Sequence, residues 1–497
     1  MQEGTARAAR APRRWLRYTL YGLAMAVLVV GATVAYLFAT FEPLDHRQRI
    51  VDFVKERTGR TLDIRGEVEL SFWPDLGIRL GALTLSERDS AEPFAGIESA
   101  RLRLELEPLL SRELVASEIV LNGASVRIVR FEDGRLNIDD LLQGEGEPPR
   151  FDIARVVVES STFTYHDLGS GAQYTLEDIA LETGRLANAV PTSIVYAARA
   201  RDGRDRFDLR TTLKGGLTFD LESKRYAFER MRVGASGRVP GIEDLAFEAA
   251  ASGSFDRATG VLDLTAPAAK ASGTYAGDAL TLALEAARLE VQAGHAAAKA
   301  LRLRAGARGS AGTTSLDLAA DAMQWAHGRL ASDAIAADLA LERGGHKVQA
   351  KIASQLDARI EERTLELSAM EADFSAQGGR LPRKGLAGKV RGDARIDLAK
   401  EGVDLTLAGR IDESDAKIRL SAAGFASPVY TFAVTLNRLD LDRYLAAGRG
   451  KPPPRAPAAA GVALFAPLAK LPAKGTLVIG TLKVAQTQSR NVRLVLE

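Results

Sequence analysis

The sequence predicts a mainly β protein: a membrane-spanning helix and a short second helix, then a long antiparallel meander with one oily face. Three observations carry this. In RTGRTLDIRGEVELSFWPDLGIRLGALTLSER (Arg57–Arg88) apolar side chains recur at almost every second position, the period of a strand whose two faces differ. Glycine is frequent (45 residues) and aromatics are sparse at 6%, which suits many strands joined by tight turns. Finally, YTLYGLAMAVLVVGATVAYLFATF (Tyr18–Phe41) holds no charged residue. As a helix rising about 1.5 Å per residue it spans roughly 36 Å, enough to cross a hydrocarbon core of about 30 Å.

The elements follow in order. Residues 1–17 form a basic tail with Arg7, Arg10, Arg13, Arg14 and Arg17, opposed only by Glu3. Excess arginine marks the cytoplasmic side, so the chain beyond the spanning segment (18–41) lies across the membrane. A cleaved signal peptide is the alternative; the apolar run is long for one, and Thr33–Ala35 makes a weak cleavage site. A first strand region covers 42–146. It opens on a helix over EPLDHRQRIVDFVKERTGR, with Pro43 and Asp45 as start signals and Gly59 as stop. Within it RLRLELE (Arg101–Glu107) alternates without exception, and Glu132–Asp133–Gly134 marks a turn ahead of a stub capped near Asn137 and Asp139. The linker QGEGEPPR (143–150) introduces the main β region, 147–447, where strands of roughly six to ten residues alternate with Gly, Asp, Asn and Ser turns. AGHAAAKALRLRAGARGSAG is too alanine-rich for an ordinary strand core and leaves helix open for part of the middle third. A Pro/Ala-rich linker (448–475) forbids a strand, and residues 476–497 return to strands.

Composition and motifs exclude several classes of chemistry. The net charge of +2 comes from interleaved acids and bases, without the basic stripe a nucleic-acid surface needs. With no cysteine, thiolate metal sites, disulfides and cysteine nucleophiles are ruled out. The five histidines, His46, His166, His295, His327 and His346, are scattered without ligand spacing, and no nucleophile elbow, phosphate loop or dinucleotide fingerprint is present. Asp440 and Asp442 in LDLDRYL have a spacing that could hold a divalent metal, but strand alternation with Leu439 and Leu441 alone explains it and is the reading preferred. No catalytic residue, cofactor or metal ligand is assigned.

Several stretches together resemble the AsmA family of bacterial inner-membrane-anchored periplasmic proteins. They are the anchor, the helix ending ERTGR, TLDIRGEVELSFWPDLGIRLGALTLS, LRLELEPLLSRELVASEIVLNGASVRIVRFEDGRLNIDDLL and, far downstream, LDLDRYL and KGTLVIGTLKVAQTQSRNVRLVLE. The match covers about the first 145 and the last 60 residues, the middle agreeing in character only. No motif among them is diagnostic alone; their order behind the anchor is what matches. Two departures stand out: Ile138 occupies a position where relatives carry Trp, and the family's C-terminal strands usually continue beyond NVRLVLE. The resemblance implies an inner-membrane protein with its bulk in the periplasm, linked to outer-membrane assembly. Its larger relatives look like bridge-type lipid carriers, in which curved β-sheet surrounds a hydrophobic groove.

On that basis the oily strand face is expected to hold phospholipid or another envelope lipid. The lipid-facing candidates are Leu62, Ile64, Val68, Leu70, Phe72, Ile78, Leu80, Leu102, Leu104 and Leu106. Three other readings stay open: a β-sandwich with a closed core, acting as a scaffold for outer-membrane assembly proteins; an outer-membrane barrel, which lacks its aromatic girdles here; and, least supported, an envelope hydrolase.

Overall fold

The computed structural model describes residues 51–52, 54–56, 58–71, 77–105, 116–139, 152–378, 381, 385–445, 473–484 and 487–496. The expected spanning helix and the first linker lie outside these residues, as does the second linker up to residue 472; its last three residues, expected to be linker, already belong to the strand Ala473–Val484, because the Pro-rich part ends before them. Among the described residues no helix is long and apolar enough to cross a membrane. Where it is described, the segment before Gly59 is helical.

All the strands among the described residues build one 30-stranded sheet. From Val156–Asp167 to Val429–Asp440 most strands pair antiparallel with the next along the chain, and many are 14 or 15 residues long. Two-residue turns suffice: Ala326 pairs with Arg329 around His327–Gly328, both at positive φ, the primed turn whose twist matches that of the flanking strands. The alanine-rich stretch is strand, His295–Gly309. There Leu301 and Leu303 alternate with Arg302 and Arg304, and Ala305 and Ala296 sit in register with Leu316 and Trp325, so cross-strand packing overrides the low propensity.

The sheet is mixed rather than wholly antiparallel. Ala473–Val484 lies parallel to Val429–Asp440, and Val156–Asp167 lies parallel to both Ala116–Asn122 and Ser125–Arg130. Both parallel joins follow long connections, which a parallel pair requires and a hairpin does not. The second join also makes a fork. Beyond Ala116–Asn122 the sheet continues through Ser99–Leu104, Gly77–Leu80 and Val68–Ser71. Beyond Ser125–Arg130 it continues through Pro93–Ile97, Leu83–Ser86 and Leu62–Ile64.

A line of β-bulges bends the strands near their middles. Register shifts fall at Val158/Ser161, Glu177/Ala180, Phe228/Met231, Ser332/Ile335 and Leu367/Met370, with Ser160, Asp178, Arg230 and Ala369 at positive φ. Each bulge frees backbone groups from the ladder; at several of them a serine takes these up, and at Leu367/Met370 Asp393 accepts from the Ala369 amide at 3.1 Å. Ser161 Oγ accepts from the Ala124 amide at 2.9 Å, Ser252 Oγ from the Arg230 amide at 2.9 Å, and Ser332 Oγ donates to the Ala322 carbonyl at 2.6 Å. The deepest apolar side chains, among them Ala198, Ala320, Ile335, Met370, Val390 and Ala416, lie along the same mid-strand zone.

Candidate functional site

Cross-strand register turns the alternation of single strands into continuous rows. One row starts at Leu80 and runs through Ala100, Leu121, Val158, Leu181, Tyr196, Leu213, Val233, Ala249, Ala269, Leu284 and Leu303. It goes on through Leu318, Ala337, Ile352, Ala372, Val390, Gly409, Ala416, Leu436 and Ile479 to Val492. No charged residue interrupts it. Roughly twenty strand spacings of about 4.8 Å make it on the order of 100 Å long. A second row, on the other half of the strands, runs from Phe219 and Tyr226 through Phe255, Leu262, Val291, Ala296, Trp325 and Leu330. It continues through Ala358, Leu365, Ile396, Val403, Ala422 and Tyr430 to Ala473. In His346–Arg359, which has no bulge of its own, Ile352 of the first row and Ala358 of the second are an even number of residues apart. Both rows therefore share one face.

The opposite face is charged and self-paired. Arg304 reaches Asp317 at 3.6 Å, Lys389 reaches Asp373 at 3.1 Å and Arg391 reaches Glu371 at 3.0 Å across neighbouring strands. A depression of about 1320 Å³ is lined by three adjacent rows: a charged one with Lys270, Arg304 and Lys351, a small polar one with Ser272, Thr281 and Ser315, and between them Leu282, Leu316, Leu339 and Phe374 of the apolar face. Among the described residues its lining includes neither Leu303 and Leu318 nor Leu341 and Val348, the next residues across the apolar face.

On the apolar face Leu282 (47% exposed) and Leu339 (37%) stay open. At the fork the sequence candidates divide between the arms. Ile78, Leu80 and Leu102 lie on one, in register with Ile119 and Leu121; Leu62 and Ile64 lie on the other, opposite Leu85 and Leu83. Val68 and Leu70 pair with Leu80 and Ile78, although their side chains, like that of Leu104, are outside the described set, as are Phe72 and Leu106. The larger part of the face, from Val158 onward, was not among the sequence candidates. Its signal was present as alternation in each hairpin, but single-residue bulges hide which halves share a side.

At the base of the fork Arg60 is fully buried. Its guanidinium lies 4.4 Å from the Phe94 ring centre and donates to the carbonyls of Asn137 (2.6 Å) and Ser86 (3.4 Å), with Glu87 at 3.6 Å. Asn137 in turn accepts from the Val129 amide. Far along the chain, LDLDRYL departs from the expected strand. The strand ends at Asp440, Asp442 starts a helical turn (Asp442–Leu445), and Lys483 Nζ pairs with Asp440 at 2.9 Å. The described residues contain no cluster of three metal-ligating side chains.

The sequence matches the AsmA family over residues 13–447. The chain belongs to the AsmA family. Over 215 residues it is 28% identical to Protein AsmA of Escherichia coli (strain K12), a match covering 41% of this chain and 33% of that protein. The chain thus spans about a third of the curated relative it matches. No solved structure shows a significant match. Family membership fits the order of elements behind the expected anchor; it leaves the occupant of the apolar face to be argued from chemistry.

Proposed function

We propose that this AsmA-family chain is a non-enzymatic lipid-binding protein of the bacterial cell envelope. Tyr18–Phe41 anchors it in the inner membrane, its N-terminus is cytoplasmic and its sheet stands in the periplasm. There it carries phospholipid or another envelope lipid along the apolar face and so supports outer-membrane assembly. The observation that supports this best is the uninterrupted row from Leu80 to Val492. An acyl chain laid on such a row leaves water at about 0.8 kcal/mol per methylene, so ten methylenes gain on the order of 8 kcal/mol. That holds a chain, and because the row offers the same chemistry at every strand, no single position traps it. The charged opposite face keeps the sheet soluble and its edges discouraging to other strands.

Photo-crosslinking residues at Leu318 and Ile352, compared with Asp317 and Lys351, test the proposal in cells. Lipid adducts are expected at the first pair alone. Equal labelling of both pairs, or none, returns the sheet to a scaffold acting through protein partners.

A further inference from the structure

His295 and His327 are far apart in sequence, yet the fold places their rings 4.6 Å apart, centre to centre, with planes at 86°. They sit on neighbouring hairpin tips. His295 follows the turn at Gly294, His327 occupies a primed turn at positive φ, and the His327 amide donates to the Gly294 carbonyl at 3.1 Å. The two turns are therefore locked by backbone rather than by the imidazoles themselves. His295 Nδ1 lies 3.4 Å from the Ala293 carbonyl oxygen. Such a contact orients a ligating imidazole and leaves Nε2 for an ion. Two imidazoles on one ion, each nitrogen about 2.0–2.1 Å from it at a bond angle of about 90–105°, bring their ring centres to roughly 4.5–5 Å. The observed separation falls in that interval.

We infer that His295 and His327 form a two-imidazole site for a borderline divalent transition-metal ion, of the class of Zn²⁺ or Ni²⁺. Water completes the coordination, because no third His, Asp or Glu among the described residues joins the pair. The inference is independent of the lipid reading. The site stands at the hairpin tips beside the apolar row through Ala296 and Trp325, one residue from His295 and two from His327.

The test is calorimetric titration of Ni²⁺ into the tag-free full-length protein in detergent micelles. Wild type is compared with His295→Ala, with His327→Asn, which keeps a side chain tolerant of positive φ, and with His346→Ala as control. One ion per chain is expected, with affinity at least about tenfold weaker in either pair variant and unchanged in the control. Absence of stoichiometric binding by wild type, or equal binding by the pair variants, overturns the site. Should a variant misfold, Zn²⁺ protection of the wild type against diethyl pyrocarbonate decides. His295 and His327 must be shielded while His346 reacts; uniform modification refutes the proposal.

Discussion

Arg60 holds the two ends of a stretch that closes one arm of the fork: its own backbone leads into Leu62–Ile64, and its guanidinium reaches Ser86 and Asn137. A buried cation that loses its acceptors, or acceptors that lose their cation, is destabilised by about 3–5 kcal/mol. Arg60→Met should therefore lower hydrogen-exchange protection of Leu62–Ile64 and Leu83–Ser86 by about 3 kcal/mol, while strands beyond Asp167 keep theirs. Elsewhere single residues act through charge. Two donors from Arg288, at 2.8 and 2.6 Å, hold the Asp263 carboxyl below its ordinary range despite the opposing effect of partial burial. A carboxyl depressed in the folded state stabilises above its unfolded value near about pH 4, and that contribution disappears as pH falls through the folded value. Thermal midpoints followed by circular dichroism should drop on acidification below about pH 4. Asp263→Asn should lower the neutral-pH midpoint slightly, since the pair is solvent-screened, and flatten the acid limb.

Elements were legible in the sequence wherever alternation was clean. Arg101–Leu104 and Leu62–Ile64 are strands as expected, and the turn at Glu132–Gly134 forms, with Gly134 at positive φ and Asp133 accepting from the Arg135 amide at 3.0 Å. Register was not legible. In GTTSLDLAADAMQWA, Leu316 and Leu318 share the face of Met323 and Trp325 only because the strand is irregular between them, and one extra residue reverses every side chain after it. Nor could spacing reveal His295 beside His327, because the pairing of two turns, not a motif, brings them together. The parallel joins were hidden for a related reason, since each depends on a partner reached after a long connection. The C-terminal join gives a direct test. A Cβ on Gly475 would stand 2.2 Å from the Phe432 carbonyl oxygen, so Gly475→Val should undock the hairpin of Ala473–Val484 and Thr487–Leu496. Limited proteolysis should then release that hairpin while the sheet up to Asp440 resists.

At the scale of the whole molecule, the proposed lipid track requires the apolar face to be unbroken. Ala337→Asp places one carboxylate midway along the row while leaving its two neighbours, Leu318 and Ile352, in register. The expected outcome is loss of fluorescent-lipid transfer between vesicles, with lipid still captured by crosslinkers at Leu102 and Leu436 on either side. Transfer at the wild-type rate would mean that lipid does not travel along this row. The plan of consecutive hairpins also bears on how such a chain is made. From Val156 to Asp440 almost every strand finds its partner in the one synthesised just before it, so sequence separations are short and formation is fast. A chain that emerges progressively can therefore add one strand at a time to a template already formed. Only one growing edge is exposed at any moment, and the hairpin of Ala473–Val484 and Thr487–Leu496 joins that edge in parallel.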